Sequence, residues 1–230
     1  MTKAYLCKVI DFLDIHTHKN IEQVGITSVQ SLSLTEDIFL AMPKKKLISV
    51  GLHPWYAKLD QLAIQMKYLC VLAKQTNVKF IGESGLDKLK GEPLANQILI
   101  LKQQVKLAED LKKPLIIHCV KAFDELIALK NELNIKVPII IHGFNKSEDL
   151  GAQLLAKGFL LSFGNAVLDK TSSVAKLVRN ANNFFLETDD SESSIEEIYH
   201  AVAGIKKCTI NELKARIFAN WEKLNLTQTP

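Results

Sequence analysis

Three polar side chains alternate at the end of an apolar run near the start of the chain: Asp14, His16 and His18. Successive side chains of a β-strand point to opposite faces, so these three share one face, with neighbours about 6–7 Å apart. Two imidazoles on one face at the end of a strand can bind one metal ion. The alternative is a pair of surface or core histidines on an edge strand, and this stretch alone does not decide between the two.

Eight short apolar runs, rich in β-branched and aromatic residues, recur along the chain. Most are nearly continuous, which is typical of strands buried on both faces of a parallel sheet. The predicted strands are residues 12–18, 26–32, 47–53, 80–86, 115–120, 139–144, 159–164 and 184–189. The predicted helices are residues 59–74, 93–111, 123–133, 147–157, 193–203 and 209–224.

This alternation indicates parallel strands joined by crossover helices, and eight such units predict an α/β protein with a TIM-type (β/α)8 barrel. We find no linker or repeat and expect one domain over residues 1–230. The connections at 19–25 and 33–46 are short: the first has no room for a full helix, and the second holds one or two helical turns. We therefore expect reduced early helices, with an irregular or partly open barrel there as the alternative.

Barrel enzymes place their chemistry at the carboxyl ends of the strands, where ligand-type side chains recur in this chain. The candidates are His16, His18, His53, Glu83, His118, His142 and Asp189. Five of the six histidines fall at strand ends, and only His200 lies on a predicted helix. One core histidine is ordinarily explained by a hydrogen bond, but five at the same end of one barrel indicate a site.

The number of ligands indicates how many metal ions the site holds. Four histidines, a glutamate and an aspartate exceed what one tetrahedral zinc needs, but they suit two divalent ions bridged by a carboxylate. Such a pair polarises a phosphoryl or carbonyl oxygen and acidifies a bound water, whose proton a carboxylate at the rim can accept. Nitrogen and oxygen ligands fit Zn, Mg, Mn, Co or Fe, and the sequence does not choose among them.

Composition and charge predict an ordinary soluble globular protein. The formal net charge of +4 and the pI near 8.7 suit an anionic substrate. Cys7, Cys70, Cys119 and Cys208 form no C-x-x-C pair, so we expect reduced thiols in a cytoplasmic protein. No secretory apolar region and no apolar run of about eighteen residues is present, so we expect no membrane contact. We also expect a monomer without an obligate protein partner.

Six motifs occur in the order typical of TatD-like metal-dependent hydrolases, within the wider amidohydrolase-like barrels, and the resemblance covers about residues 12–224. The motifs are His16-Thr17-His18, Gly51-Leu52-His53-Pro54, Ile81-Gly82-Glu83-Ser84-Gly85-Leu86-Asp87, Pro114-Leu115-Ile116-Ile117-His118, Ile141-His142-Gly143-Phe144 and Leu186-Glu187-Thr188-Asp189. Characterised members of this family are mainly metal-dependent deoxyribonucleases, including 3′-to-5′ exonucleases.

The resemblance also implies a role for each matching residue. One metal ion would be held by His16, His18, Glu83 and Asp189, and a second by Glu83, His118 and His142. Asp189 would orient or deprotonate the attacking water, and His53 would face the reacting phosphate. Asp14 and Asp87 would support the ligands, or serve as ordinary strand-end hydrogen-bond partners, and Asn220 would be structural.

Departures from the family pattern fall where substrate would be recognised. Lys121 stands where an arginine usually follows the histidine of the fifth strand, and it lacks the bidentate fork of a guanidinium. The segment after Asp189, residues 190–194, is short and acidic, and Lys88 replaces an aromatic residue. Trp55, Lys121 and Phe144 are the candidate substrate contacts. Trp55 and its neighbour Tyr56 would stack a base or line the mouth, with packing as the alternative for these aromatics.

The sequence leaves three candidate functions. The first is a two-metal deoxyribonuclease that cleaves phosphodiester bonds in DNA or oligonucleotides. The second is a two-metal hydrolase of a small phosphoester, amide or ester without nuclease activity, which the short loops favour. The third is a binding module without catalysis, which predicts eroded ligands, and none is eroded.

Overall fold

In a computed structural model, which describes residues 10–20, 22–34, 42–224 and 226, eight parallel strands form one sheet whose order follows the chain. The strands are β1 (Phe12–Thr17), β2 (Ile26–Ser33), β3 (Leu47–Gly51), β4 (Val78–Asp87), β5 (Leu115–Val120), β6 (Ile139–Ile141), β7 (Leu160–Phe163) and β8 (Phe184–Leu186). The helices are α1 (Leu62–Leu72), α2 (Leu94–Leu111), α3 (Phe123–Glu132), α4 (Glu148–Ala156), α5 (Ser173–Asn180), α6 (Ile195–Lys206) and α7 (Ile210–Glu222). Short 3-10 turns occupy Leu59–Gln61 and Asn165–Leu168.

The TIM-barrel prediction is confirmed: strands and helices alternate, and the sheet curves until β8 meets β1. Each predicted strand and helix is present, with ends shifted by a few residues. The helix α5 is additional, because eight residues capped by Ser172 are too short to stand out by periodicity. Residues 22–25 hold a turn, as the short first connection requires, whereas the helical turn expected within 33–46 falls mostly outside the described residues.

Packing of the outer layer follows the apolar faces of the helices. Phe80 near the amino end of β4 contacts Trp221 of α7, with ring centroids 5.7 Å apart. Asn220 donates its amide to the carbonyl of Phe184, in keeping with the structural role expected for it. Cys70, Cys119 and Cys208 are free thiols, and Cys7 lies outside the described residues. None of the helices in the described part of the chain combines the length and apolar composition that crossing a bilayer requires.

The barrel closes between β1 and β8 with few main-chain hydrogen bonds. The amide of Asp189 donates to His16 at 3.0 Å, and the amide of His18 donates to Asp189 at 3.1 Å. Further down this seam, the Tyr199 hydroxyl accepts from the amide of Leu13 and donates to its carbonyl, both at 3.1 Å. Because the amide of Phe12 faces β2, the polar groups of Leu13 face the seam with β8, and among the described residues they make no main-chain hydrogen bond to that strand. A side chain from α6 thus takes the place of a strand partner.

Replacing Tyr199 by phenylalanine should lower the free energy of unfolding by about 1–3 kcal/mol, because the buried amide and carbonyl of Leu13 would lose their partner. Urea denaturation of the two proteins measures the difference. The matched control is Tyr56→Phe, at a tyrosine that is 54% exposed, which should change the free energy by less than about 0.5 kcal/mol. Equal stability of the Tyr199→Phe variant and the wild type would show that the seam does not depend on this hydroxyl.

Candidate metal centre

The carboxyl end of the barrel gathers every metal ligand that the sequence predicts. β1, β4 and β5 supply His16, Glu83 and His118 directly, and residues just beyond β1, β6 and β8 supply the others, which are His18, His142 and Asp189. Two residues after β3, His53 reaches the same place. Glu83 lies at the centre, 2% exposed, with five histidines around its two carboxylate oxygens.

One oxygen of Glu83, Oε2, belongs to a four-atom group with His16, His18 and Asp189. The Nε2 atoms of His16 and His18 lie 3.4 and 3.3 Å from this oxygen. The same two nitrogens lie 3.5 and 3.4 Å from Oδ1 of Asp189. Ligand atoms arranged tetrahedrally at about 2.1 Å from an ion are about 3.4 Å apart. The four nitrogen–oxygen distances therefore match the spacing of metal ligands, and His16, His18 and Glu83 form one group of potential ligands.

The other oxygen of Glu83, Oε1, faces three histidines. His142 Nε2 lies 2.8 Å away, and His118 Nδ1 and His53 Nε2 each lie 3.0 Å away. One carboxylate therefore links two groups of imidazoles, as a bridging ligand does. The resemblance assigns only His118 and His142 to this side, whereas the structure brings His53 equally close.

Polar atoms without partners support a metal-binding role. His16 is fully buried, yet neither of its ring nitrogens has a hydrogen-bond partner among the described residues. Buried polar groups are nearly always satisfied, so the unpartnered Nε2 beside two carboxylates is explained by a cation that it ligates. The three groups of potential ligands in the described part of the chain all belong to this centre, and they contain histidine and carboxylate only. The residues present fit a divalent metal ion.

The buried carboxylates and histidines of the centre shift one another's pKa values. Burial opposes ionisation of Glu83, but the positive charge of His142 and the contacts with the surrounding histidines lower its pKa far below the usual value. Burial and His142 oppose the charge of His16, yet Asp189 and Glu83 outweigh them and raise its pKa to about 9. The carboxylates therefore draw positive charge into the centre, which a divalent ion can provide in place of protons.

The backbone around Glu83 is unusually close-packed. The Gly82–Glu83 peptide bond is cis. Gly85 has φ +148°, and a Cβ atom at this position would lie 1.9 Å from the carbonyl oxygen of His118. Only glycine therefore lets β4 and β5 approach closely enough to place Glu83 and His118 side by side.

The hydrogen bonds behind the histidines determine which ring nitrogen carries a proton. His118 Nε2 lies 3.2 Å from Oδ2 of Asp87, so this nitrogen donates and Nδ1 offers its lone pair toward Glu83. For His53 the arrangement is reversed, because the amide of Trp55 donates to Nδ1 at 3.1 Å. Nε2 of a neutral His53 must then carry the proton. Burial lowers the pKa of His53, which keeps the ring neutral at pH 7.

Asp87 and Asp14 have the supporting contacts that the resemblance implies. Asp87 Oδ2 accepts from the indole of Trp55 at 2.7 Å in addition to its contact with His118. Asp14 accepts from the amide and hydroxyl of Thr188, at 3.0 and 2.7 Å, and so holds the segment that carries Asp189. Burial raises the pKa of Asp14 to about 7, although the Thr188 contacts oppose this shift.

The three candidate substrate contacts lie in different surroundings. Lys121 is exposed at the end of β5. Trp55 is half-buried, with Nζ of Lys90 3.6 Å above its ring. Phe144 is 2% exposed and packs edge-on against Phe163. Contact of any of these three residues with substrate stays a prediction. The surroundings of Phe144 are those of a packed core residue.

Sequence reasoning missed several buried polar residues that support the centre. Glu187 is completely buried and lies 3.6 Å from Nδ1 of His142, where it also accepts from Ser162 and the amide of Gly143. Gln97 and Gln104 of α2 are buried, and they bind main-chain groups of Asp87 and of Leu52, the residue before His53. The detectable signal was two glutamines seven residues apart within the apolar stripe of a predicted helix.

Comparison with other proteins gives a consistent set of relatives. An uncharacterised metal-dependent hydrolase of Methanocaldococcus jannaschii is 25% identical over 186 residues, covering 75% of this chain and 73% of that protein. A 3′-5′ ssDNA/RNA exonuclease TatD of Cronobacter sakazakii is 30% identical over 149 residues, covering 61% of this chain and 56% of that protein. Among solved structures, a TatD homologue of Escherichia coli superposes with a TM-score of 0.79 at 18% identity, covering 94% and 98% of the two chains.

A family model described as TatD related DNase matches residues 14–225, nearly the whole described chain. The matched region includes all the ligands gathered around Glu83, and the barrel agrees with that of the Escherichia coli structure. This chain belongs to the TatD family of metal-dependent hydrolases.

Proposed function

We propose that this protein uses two divalent metal ions to hydrolyse phosphodiester bonds in single-stranded nucleic acid. The observation that carries the proposal is the environment of Glu83, with two histidines that also contact Asp189 around one oxygen and three histidines around the other. Nuclease relatives and a mildly basic chain support a polyanionic substrate. Zn, Mg and Mn are the candidate ions.

The ligands separate into two sets that share Glu83. His16, His18, Glu83 and Asp189 would hold one ion, with the spacing described above in support. Glu83, His118 and His142 would hold the other. Asp87 and Glu187 behind the two histidines are the kind of carboxylate partners that orient metal-binding imidazoles. When bound, divalent ions polarise a phosphoryl oxygen and acidify a water molecule.

Asp189 is suited to accept the proton of the attacking water. Burial raises its pKa, but the contacts with His16 and the charge of His142 lower it overall, so the carboxylate is ionised at neutral pH. Its side chain is 31% exposed, which leaves it open toward solvent and an incoming substrate. An ionised carboxylate at the rim, adjoining two ligand histidines, is in a position to orient water and remove its proton.

His53 is suited to donate a hydrogen bond to a phosphate oxygen. Its Nε2 carries the proton because Trp55 occupies Nδ1, and a protonated nitrogen cannot ligate a metal ion. The same proton points into the centre, where it reaches Glu83 in the free enzyme. Charge that develops on the phosphoryl oxygens would be stabilised by this donor. The hydrogen bonds thus favour the phosphate-facing role over metal ligation.

Tyr56 is the aromatic residue best placed to stack an unpaired base. Its ring centroid lies 5.5 Å from that of His53, and the residue is 54% exposed. Trp55 is less available, since its indole is tied to Asp87 and covered by Lys90. An exposed ring beside the reacting phosphate suits a single strand, whose bases are free to stack, better than a duplex.

The acidic segment after Asp189 favours a second candidate, a hydrolase of small phosphoesters or of amides and esters. Asp190 and Glu192 lie in this short connection, and both would repel a long polyanion. The two functions share the metal centre and differ in the length of substrate that the mouth accepts.

Labelled single-stranded DNA, single-stranded RNA and duplex DNA, each tested with Mg, Mn and Zn, distinguish these functions. We expect shortening of single strands from one end, faster than duplex cleavage, together with hydrolysis of bis-p-nitrophenyl phosphate as a small diester. Hydrolysis of the small diester without cleavage of any nucleic acid under any metal would exclude the nuclease and support the second candidate.

Replacing Tyr56 by leucine should raise KM for a single-stranded oligonucleotide by about tenfold or more, since stacking contributes about 1–3 kcal/mol per base. Tyr56→Phe keeps the ring and should retain the wild-type KM. The ratio of kcat/KM for the oligonucleotide to that for bis-p-nitrophenyl phosphate isolates the effect on recognition. An unchanged ratio in Tyr56→Leu would remove Tyr56 from substrate binding.

A further inference from the structure

β3 and β4 separate just before the catalytic end of the barrel. Their pairing ends at Val50 and Ile81 among the described residues. The carbonyl of Gly51 accepts from Leu34 on the β2 side, so the polar groups of the next residue, Leu52, face β4. The amide of Lys88 donates to Val120 on the β5 side, so the polar groups of the preceding Asp87 face β3. Both residues thus have main-chain groups directed into the gap.

Two glutamines of α2 fill this gap. Gln104 accepts from the amide of Leu52 at 2.7 Å and donates to its carbonyl at 3.0 Å. Gln97 accepts from the amide of Asp87 at 2.7 Å and donates to its carbonyl at 2.8 Å. It also donates to the carbonyls of Lys90 and Glu92 in the loop that follows. A carboxamide offers one acceptor and a donor, as a peptide group does, so each glutamine replaces a missing strand partner.

Both glutamine contacts lie close to the metal centre, one through the chain and the other through a side-chain hydrogen bond. Leu52 immediately precedes His53, whose Nε2 is 3.0 Å from Oε1 of Glu83. Asp87 holds Nε2 of His118, whose Nδ1 is also 3.0 Å from that oxygen. Both glutamines are almost completely buried, at 1% and 2% exposure, so solvent does not replace them.

We propose that Gln97 and Gln104 are positioning residues that set His118 and His53 relative to each other at the metal centre. The two glutamines lie seven residues apart, so they share one face of α2 and move as one body. The inference rests on the proposed function, in which His118 ligates a metal ion and His53 contacts the phosphate. A misplacement of about 1 Å at such groups is enough to lower catalysis about 100-fold.

Methionine substitutions test the proposal, because methionine keeps the length and volume of glutamine without its hydrogen bonds. Gln104→Met should lower kcat at least tenfold, with KM and metal content close to wild type. Gln97→Met should weaken metal binding at least tenfold in a calorimetric titration with Zn or Mn, as expected when a ligand loses its orienting partner. Gln103→Met, at an exposed position on the same helix, is the matched control and should match the wild type in both measurements.

A double-mutant cycle separates positioning from stability. If Gln104 acts through His53, then Gln104→Met should have little further effect on kcat in a His53→Ala background. Assays run well below the melting temperature of every variant. The role of Gln104 in positioning His53 would be overturned if the two substitutions lowered kcat independently of each other, so that their fold-changes multiply. It would also be overturned if Gln104→Met were less stable but kept the wild-type kcat.

The role of Gln97 in positioning His118 would be overturned if Gln97→Met bound metal as tightly as the wild type. This test does not depend on whether Gln104→Met folds.

Failure of this proposal is distinguishable from failure of the proposed function. The metal titration of Gln97→Met requires no substrate. If the wild type cleaves an ester or amide instead of a phosphodiester, the proposed function fails, and the same cycle is then run on that substrate. Should wild-type protein bind no divalent ion in the titration, both proposals are wrong.

Discussion

Glu83→Gln is expected to reduce hydrolysis about 1000-fold or more and to lower the metal content from the proposed two ions per chain to at most one. A carboxamide has one acceptor oxygen and one NH2 group. Whichever way it turns, the NH2 group faces either His16 and His18 or the three histidines around Oε1. A 1000-fold fall in rate corresponds to about 4 kcal/mol of lost transition-state stabilisation, as expected when one of the two proposed ions is no longer held.

Elemental analysis of desalted protein, combined with activity on bis-p-nitrophenyl phosphate, checks this prediction. The matched control is Glu222→Gln on the exposed end of α7, which should keep both the ions and the rate. Circular dichroism establishes that Glu83→Gln is folded before its metal content is interpreted. A folded Glu83→Gln variant with two ions and more than a few per cent of wild-type activity would contradict the bridging role of this carboxylate.

The parts of the site that follow from side-chain periodicity were predictable. His16 and His18 share a face because they are two residues apart on β1, and parallel strands bring their carboxyl ends to one rim. These two rules place Glu83, His118, His142 and Asp189 beside them before any coordinates are known. The resemblance to the TatD family added which side of Glu83 each residue would occupy.

The hydrogen bonds behind the ligands were not predictable, because they depend on where neighbouring strands stop pairing. β3 ends at Gly51, earlier than its apolar run suggests, and β1 and β8 do not pair at Leu13. Each of these places leaves main-chain groups without a strand partner, and a helix side chain then takes that place. Gln104 does this beside β3, and Tyr199 does it at the β1–β8 seam. In the sequence, Tyr199 and Gln104 are visible only as polar side chains on the buried face of a helix, and this does not indicate which main-chain group each one binds.

The protonation of His53 is another feature that spacing cannot supply. The sequence shows a histidine followed by Pro54 and Trp55, without indicating that the amide of Trp55 turns back onto Nδ1. Three histidines approach the same oxygen of Glu83, and this one hydrogen bond makes His53 a proton donor and not a metal ligand. Local backbone conformation therefore decides a chemical role that residue type leaves open.

Asp189→Asn is expected to lower kcat about 100- to 10,000-fold while the fold remains intact, because an amide cannot accept the proton of the attacking water. Asparagine suits this position, since Asp189 has φ +53° and asparagine tolerates the left-handed region better than most residues. The bridge to β1 also survives, because it uses the main-chain groups of Asp189 with His16 and His18. The free energy of unfolding should therefore change by less than about 1 kcal/mol.

Single-turnover kinetics and urea denaturation of Asp189→Asn measure the two effects separately, with Asp110→Asn as a control at an exposed carboxylate of α2. Oδ1 of Asp189 also lies 3.5 Å from Nε2 of His16, so the ion proposed for that side should bind more weakly, while the ion proposed for His118 and His142 should remain. Assays at saturating metal remove this contribution to the rate. A loss of activity that persists under saturation belongs to proton transfer, whereas full recovery would reduce Asp189 to a metal ligand and assign the proton to another acceptor.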